Sequence, residues 1–592
     1  MKIRIVLILT LFALAALILS VVSCRRGEAV ETEDTTVRIR IEAAVATLNP
    51  LLPAPGYSRY VAAMIFQTLG VLDPETLELK PLLVESIPAP YQVAEGPYKG
   101  SIAYELTLIE DARWDNGDPL TAEDVVFTLK LIHHPGLPTQ AWRGYYEYLQ
   151  GVEINPTNPQ KFTVYNSRYY MLALESLCQT PIYPAYHYDP KGLLREVSLR
   201  DLLDPQKVSE LAQDERLIQF AADFQKPEYA NNPDQIKGSG AYRLAFMDGD
   251  QGLILEKKEN WWGDEAARQN PLLAAYPQRL EYRVVKDEAA LENMLRNGEL
   301  DIAVGVSPAK FVEWREDSLM AAQYDFETRW AAQYSRWMLN HENPKLKDVR
   351  TRKALAHIAD YDYLIRDVQL GFADRIIGPV NPAKDFFASY IKPYPFDLAK
   401  AKALLAEAGW ADHDNNGVLD QEIDGVKTEL TLDVLASTSQ KVTELLANNL
   451  RESAEKVGIR LNIVPSDINK LSADTRQGQY ETALLGAALH PGLVEMYQNY
   501  HSSSLAPQGD NRTRFVNAAA DSLIEAIRTT ENPQRRRQLY FAAQQLLYDE
   551  VPDVFLYAPR QRYVASKRFR YVISSNRPGY YENLFRLRDP KK

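Results

Sequence analysis

Residues Asp412 to Asp420 read Asp-His-Asp-Asn-Asn-Gly-Val-Leu-Asp, a run of oxygen donors spaced as a calcium loop spaces them. Asp412, Asp414, Asn416, Gly417 and Asp420 stand where such a loop has its first, third, fifth, sixth and ninth positions. The last ligand should be a bidentate Glu, and Ile423 occupies that place. The competing reading, preferred here, is a polar turn leading to the strand that begins near Leu430. Other chemistry finds little footing. The sequence has no GxSxG, no HExxH, no GxxxxGK-S/T and no GxGxxG opening a helix after a strand. Its 8 His are scattered, with only His133 and His134 adjacent, so no metal-binding spacing emerges. The chain therefore reads as a binder with no catalytic residues, no cofactor and no resident metal.

Cysteine usage agrees. Cys24 and Cys178 are the 2 cysteines, and neither belongs to a CxxC pair. Cys178 lies in MLALESLCQT, an apolar helical pattern, and is expected to be a buried inert thiol. Cys24 follows Lys2 and Arg4, an apolar run from Ile5 to Leu19, and Val21-Val22-Ser23. A basic start, an apolar centre and small residues before a cut describe a signal peptide over 1–23. A Cys directly after the cut resembles the lipobox of bacterial lipoproteins. That implies a diacylglycerol on Cys24, whose acyl chains hold a protein on a membrane. An uncleaved membrane anchor with an incidental Cys is the alternative, since the apolar stretch is long enough to allow it. Residues 24–36 continue as RRGEAVETEDTT after the Cys, polar and tether-like.

The elements that must position any site follow from length and pattern. A chain of 592 residues is too long for one core, so two or three lobes are expected. The net charge of -12 leaves no basic footprint for nucleic acid. The 34 Tyr and 8 Trp suit a pocket that accepts varied ligands. Leu280–Val285 reads as a strand. Asp287 then caps a helix carrying Ala290, Leu291, Met294 and Leu295; Gly298 ends it, and Leu300–Val304 is a second strand. The same order recurs later. Leu430, Leu432 and Val434 alternate with polar residues, Val442 to Val457 has helical spacing, and Gly458 precedes the alternating Ile459, Leu461 and Ile463. Two such strand–helix–strand units require parallel strands and point to two α/β lobes, with ligand bound beyond strand ends or between lobes. Thr121 caps TAEDVVFTLKLI with Asp124 at its third position, and Asp397 caps DLAKAKALLAEAG.

Six segments in order carry a resemblance. YELTLIEDARWDNGDPLTAEDVVFTLKLI (104–132) resembles the signature of the family 5 extracellular solute-binding proteins, with Trp114, Gly117, Thr121, Ala122, Asp124, Val125 and Phe127 in the family's places. GSGAYRLAFMDGDQGLILEKKENWWG (238–263), NGELDIAVGVSP (297–308), WMLNHENPKLKDVRTRKALAHIADYDYLI (337–365), YPFDLAKAKALLAEAGW (394–410) and QLYFAAQQLLYDEVPDVFLY (538–557) follow in family order. The resemblance implies a periplasmic-binding-protein-like fold of type II: two α/β lobes with a hinge and an inserted small domain. It also implies capture of oligopeptides or peptide-like solutes for an ABC importer's permease and ATPase. The expected division is lobe I over 37–72, 181–305 and 552–592, the inserted subdomain over 73–180, and lobe II over 306–551. A monomer on the outer face of a bacterial membrane is expected. A lipid-anchored sensor or adhesion protein on the same fold is the alternative.

The resemblance also places candidate ligand contacts. Peptide-binding relatives place a cleft Asp before Pro at a strand end, to pair with a peptide ammonium; here that place holds His490, before Pro491. An imidazole does not neutralise an ammonium, so a blocked peptide, a sugar or an anionic solute gains ground. Capping of the strand end is the other reading of His490. Asn340 stands at a family strand-end Asn, and Tyr57 in an early loop that approaches the cleft. Trp142, Tyr334, Trp337 and Tyr497 are aromatic candidates for the cleft wall; Arg350, Arg352 and Lys353 read as solvated or structural.

Overall fold

Val37–Ile41 is a strand whose inward side chains are fully buried, and it lies parallel to Arg279–Val284 in the register Val37↔Leu280 to Ile41↔Val284. On its other side Ile39 pairs with Ile302 of the parallel strand Ile302–Val304. The helix Glu288–Arg296 makes the crossover between those neighbours. Asp287 caps it through a hydrogen bond from the Ala290 N–H, and Leu291 and Leu295 face the core. Gly298, at φ +69°, takes the left-handed conformation that ends the helix. The second unit is built alike: Thr431–Ser437 runs parallel to Arg460–Ser466, joined through Lys441–Glu455 and Gly458 at φ +83°. Both expected strand–helix–strand units are thus present. The computed structural model describes residues 34–53, 56–437 and 441–588. The expected signal peptide, Cys24 and most of the tether lie outside the described residues.

From Val37 onward the chain forms one compact unit. Its sheet has two halves that share one strand. Asp553–Ser566 is 14 residues long. Its first part pairs antiparallel with Gln333–Leu339, the neighbour of Thr482–Ala488. Its last part pairs with Ile302–Val304 and with Tyr324–Trp330. Ala373–Arg375 bonds to the stretch between, from Tyr557 to Pro559. Phe311, Trp314, Met320 and Tyr324 share a core cluster with Leu291, Leu295 and Val564. A separate core gathers Trp337, Leu355, Leu405, Leu432 and Leu450 around the other half.

A second, four-stranded antiparallel sheet lies within residues 91–166, in the order Tyr91–Gln92, Ile102–Thr107, Lys161–Asn166, Leu149–Ile154. Its helix Ala122–His133 shows why Trp114 and Asp124 belong together. The buried Asp124 carboxylate accepts from the Thr121 N–H at 3.0 Å and from the Trp114 indole at 3.1 Å. One carboxylate caps the helix and pins the preceding turn. Among the described residues no helix is long and apolar enough to cross a membrane.

Candidate functional site

Three separate stretches meet where the inserted segment approaches the second half of the sheet. The first is the helix Gly56–Ala62, which carries Tyr57 and Arg59. The second is Gln140–Tyr146, held by Arg143. That side chain donates to the carbonyls of Ile132 (2.9 Å) and His134 (2.6 Å), so a cation sits at the end of the helix Ala122–His133. The third is the helix Tyr497–Tyr500, with the strand end before it. Arg59 lies over the half-buried Trp142 ring at 5.5 Å. A Cβ at Gly144 would come within 2.7 Å of Gln498 Nε2, the end of a flexible side chain, which shows how closely the second and third stretches approach.

A buried chain of polar groups fixes the third stretch. Tyr334 and Tyr500 share a hydrogen bond between hydroxyls at 2.8 Å, Tyr500 donates to Asp553 Oδ2 at 2.9 Å, and Arg336 donates to the same oxygen at 2.8 Å. Arg336 and Asp553 are both buried, so each charge depends on the other. This ties the short helix bearing Tyr497 to two strands of the sheet.

Two clusters cross from the inserted segment to the 490–528 region. In the first, the Gly492 N–H donates to His490 Nδ1 at 3.1 Å, which leaves the ring proton on Nε2, 2.7 Å from Glu175 Oε1. Gln179 donates to the same carboxylate oxygen at 2.7 Å. Lys384 donates to the Pro491 carbonyl and lies 5.1 Å from the centre of the Trp330 ring. Burial lowers the Lys384 pKa below the usual lysine range. In the second cluster Arg528 is 1% exposed. Its guanidinium is 4.0 Å from the Tyr497 ring, 5.0 Å from Tyr170 and 5.5 Å from Tyr148. It pairs with Glu147 at 3.0 Å and Glu495 at 3.3 Å. Burial pushes the Glu495 carboxyl up against the pull of Arg528, and Tyr170 donates to it at 3.0 Å. Tyr145 is half-buried close by, its phenol pKa raised by burial and then by Glu495.

Of the expected contacts, Trp142, His490 and Tyr497 lie in this region; Tyr57 packs edge-on against Tyr60 at 6.3 Å on the helix that sends Arg59 to Trp142, and three others lie elsewhere. Trp337 is wholly buried in the second core, and Tyr334 is 2% exposed beneath Tyr500. The Asn340 amide donates to the Tyr480 carbonyl at 2.8 Å, so it ties its loop to the one before Thr482–Ala488, and its Oδ1 accepts from the Glu342 N–H at 3.1 Å. Tyr334 and Trp337 are thus packed into the core from a strand buried on both faces from Arg336 to Leu339, and Asn340 joins two loops just beyond it. Arg352 is structural as expected: buried, and bonded to the Leu346, Lys347, Glu550 and Val551 carbonyls. Glu175, Arg528 and Tyr145 had no sequence signal beyond residue type.

The Asp412 turn has its own internal cation. Asp412 accepts from the Asn416 and Gly417 N–H groups, Asp414 pairs with Lys427 at 2.7 Å, and Asp420 accepts from His413 at 2.8 Å. The carboxylates of Asp412, Asp414 and Asp420 lie close enough to share an ion. Lys427 holds two of them, at 2.7 Å from Asp414 and 3.5 Å from Asp420. The turn leads into a hairpin, Asp420–Ile423 with Val426–Glu429, before the strand Thr431–Ser437.

Comparison with known proteins gives this geometry its class. Residues 78–505 match the family model "Bacterial extracellular solute-binding proteins, family 5 Middle", and the chain belongs to that family. The oligopeptide-binding protein AppA of Bacillus subtilis (strain 168) is 25% identical over 521 residues, 86% of this chain and 84% of that one. The glutathione-binding protein GsiB of Salmonella paratyphi A is 24% identical over 324 residues, 53% of this chain and 57% of that one. Among solved structures, AppA from Bacillus subtilis in complex with a nonapeptide superposes with a TM-score of 0.74 at 21% identity, over 94% of this chain and 99% of that one. NikZ from Campylobacter jejuni in complex with Ni(L-His) gives 0.72 at 20% identity, over 91% and 95%. The fold is therefore the two-lobed periplasmic-binding fold of type II, and the family is one of extracellular solute-binding proteins.

Proposed function

We propose that this protein captures oligopeptides or peptide-like solutes between its lobes and delivers them to the permease and ATPase of an ABC importer. The observation that carries the reading is the meeting of three distant stretches, with Arg59 over Trp142 and the segment bearing His490 and Tyr497 against the stretch bearing Trp142, at the junction of the inserted segment and the second sheet half. Half-buried rings give apolar surface without demanding one side chain, and that suits ligands of varied sequence. AppA, similar over most of both chains, is a binding protein for oligopeptides. Tyr145, Arg528 and Glu175 join the proposed site. His490 spends its Nε2–H on Glu175, so the proposed site offers no free carboxylate at that strand end.

The proposed division is lobe I over 37–72, 181–305 and 552–592, an inserted subdomain over 73–180, and lobe II over 306–551. The pairing of Tyr324–Trp330 with Arg560–Ser566 supports extending lobe I to about residue 330. Export by the signal peptide, lipid attachment at Cys24 and a monomeric state complete the proposal. Calorimetric titration with short peptides of mixed sequence, each with a free and an acetylated amino terminus, tests the reading. Binding of both forms within about tenfold of one another supports it; absence of heat and of thermal stabilisation with every peptide rejects it.

A further inference from the structure

Arg528 is a full charge with almost no exposed surface, and its partners come from both sides of one junction. From the inserted segment come Glu147 Oε2 at 3.0 Å, the Tyr148 hydroxyl and ring, the Tyr170 ring and the Gly144 carbonyl at 3.5 Å. From its own side come Glu495, Tyr497 and Glu525, the last at 3.4 Å from Nη1. Tyr170 also reaches across, donating to Glu495 at 3.0 Å, and the Met171 N–H donates to the Arg528 carbonyl at 2.8 Å. A guanidinium shed of water needs such a cage; separating the two sides would strip it of Glu147, two rings and a carbonyl at once. The cage therefore exists only while the two sides are together.

We propose that the Arg528 cage is a latch that holds the inserted segment against the 495–528 region, and that it sets the balance of open and closed protein before any solute binds. The latch rests on the binding reading for its purpose, but its existence does not depend on which solute is bound. Charge-assisted bonds at a junction that opens shift a two-state balance directly, because they are made in one state only. Glu147 and Tyr170 contribute to the latch from the inserted side. Replacing Arg528 itself would strand Glu495, whose side chain is 8% exposed, and would confuse latch loss with misfolding.

The test is amide hydrogen exchange on the ligand-free protein, wild type against Glu147→Gln with Tyr170→Phe. Exchange about tenfold faster within 140–150 and 168–172, with strands Arg279–Val284 and Thr431–Ser437 unchanged, is the expected result. A larger radius of gyration in X-ray scattering should accompany it. Unchanged exchange in the two segments overturns the latch. Acceleration everywhere also overturns it, because the residues would then serve general stability. Failure of every peptide to bind would sink the binding reading and leave this comparison intact.

Discussion

Glu582 is a buried carboxyl with one strong partner. It is 2% exposed and accepts from the Tyr282 hydroxyl at 2.7 Å. Burial raises its pKa from 4.5 to about 7. The folded state therefore holds its proton more tightly than the unfolded chain does. Below the unfolded value both states are protonated and folding carries no penalty. Between roughly 4.5 and 7 the unfolded chain ionises first and stability falls, and above that the loss is complete. Glu582→Gln keeps an acceptor for Tyr282 and removes the titration. Urea unfolding at pH 8 should show the variant more stable, by an amount of order 2–3 kcal/mol, and at pH 4 nearly equal to wild type. Equal stabilities at both values would mean that Glu582 is solvated. His490→Asp is a second residue-scale test. It sets a new carboxylate against Glu175, and like charges at that spacing repel. Ligand-free closure should weaken, and peptides with a free amino terminus should gain over acetylated ones. An unchanged preference, read by calorimetry, would place His490 away from the ligand's end. The position of His490 just beyond a strand was legible in the sequence. Its partner Glu175 was not, since nothing local links a strand end to a helix in another segment.

Elements followed their patterns closely where period and caps agreed. Both strand–helix–strand units carried apolar spacing, an N-cap or a terminal Gly, and a second alternating run, and the structure built both. The shared strand was only half legible. Asp553–Tyr557 reads as apolar strand, but Pro559, Arg560, Gln561 and Arg562 interrupt the pattern, and it is neighbouring strands that hold that stretch extended. Aromatic residues misled for a related reason. A strand with one face on each core buries Tyr334 and Trp337 as fully as its Leu, so ring type alone does not separate wall from core. The element-scale prediction concerns what anchors the helix Tyr497–Tyr500. Asp553→Ala leaves Arg336 buried without its counter-charge and should cost about 3–5 kcal/mol in denaturant unfolding. Tyr500→Phe removes one hydroxyl from the same chain and should cost about 1–2 kcal/mol. If the two variants lose the same stability, the ion pair is not what holds this junction.

From Val37 onward the chain has two sheet halves joined by one continuous strand, and the inserted segment touches the second half through Glu175–His490, the Arg528 cage and the Met171 N–H to Arg528 carbonyl bond. The largest core cluster runs from Val37 and Ile302 to Tyr334 and Phe555, across both halves, and two smaller clusters pack against one half each. The overall architecture was legible because six ordered segments each had a structural reason, such as the Trp114–Asp124 bond that pins a capped helix. The surface where the inserted segment meets residues 490–528 was not, because it joins segments far apart in sequence through side chains such as Arg528 and Glu175. Native mass spectrometry of the gently purified protein, with Cys24 replaced and the signal peptide removed, tests the central claim most directly. The account predicts a ladder of bound peptide masses that mild unfolding releases. Protein that carries no mass after purification from its own host, and none after incubation with a peptide mixture, would contradict it.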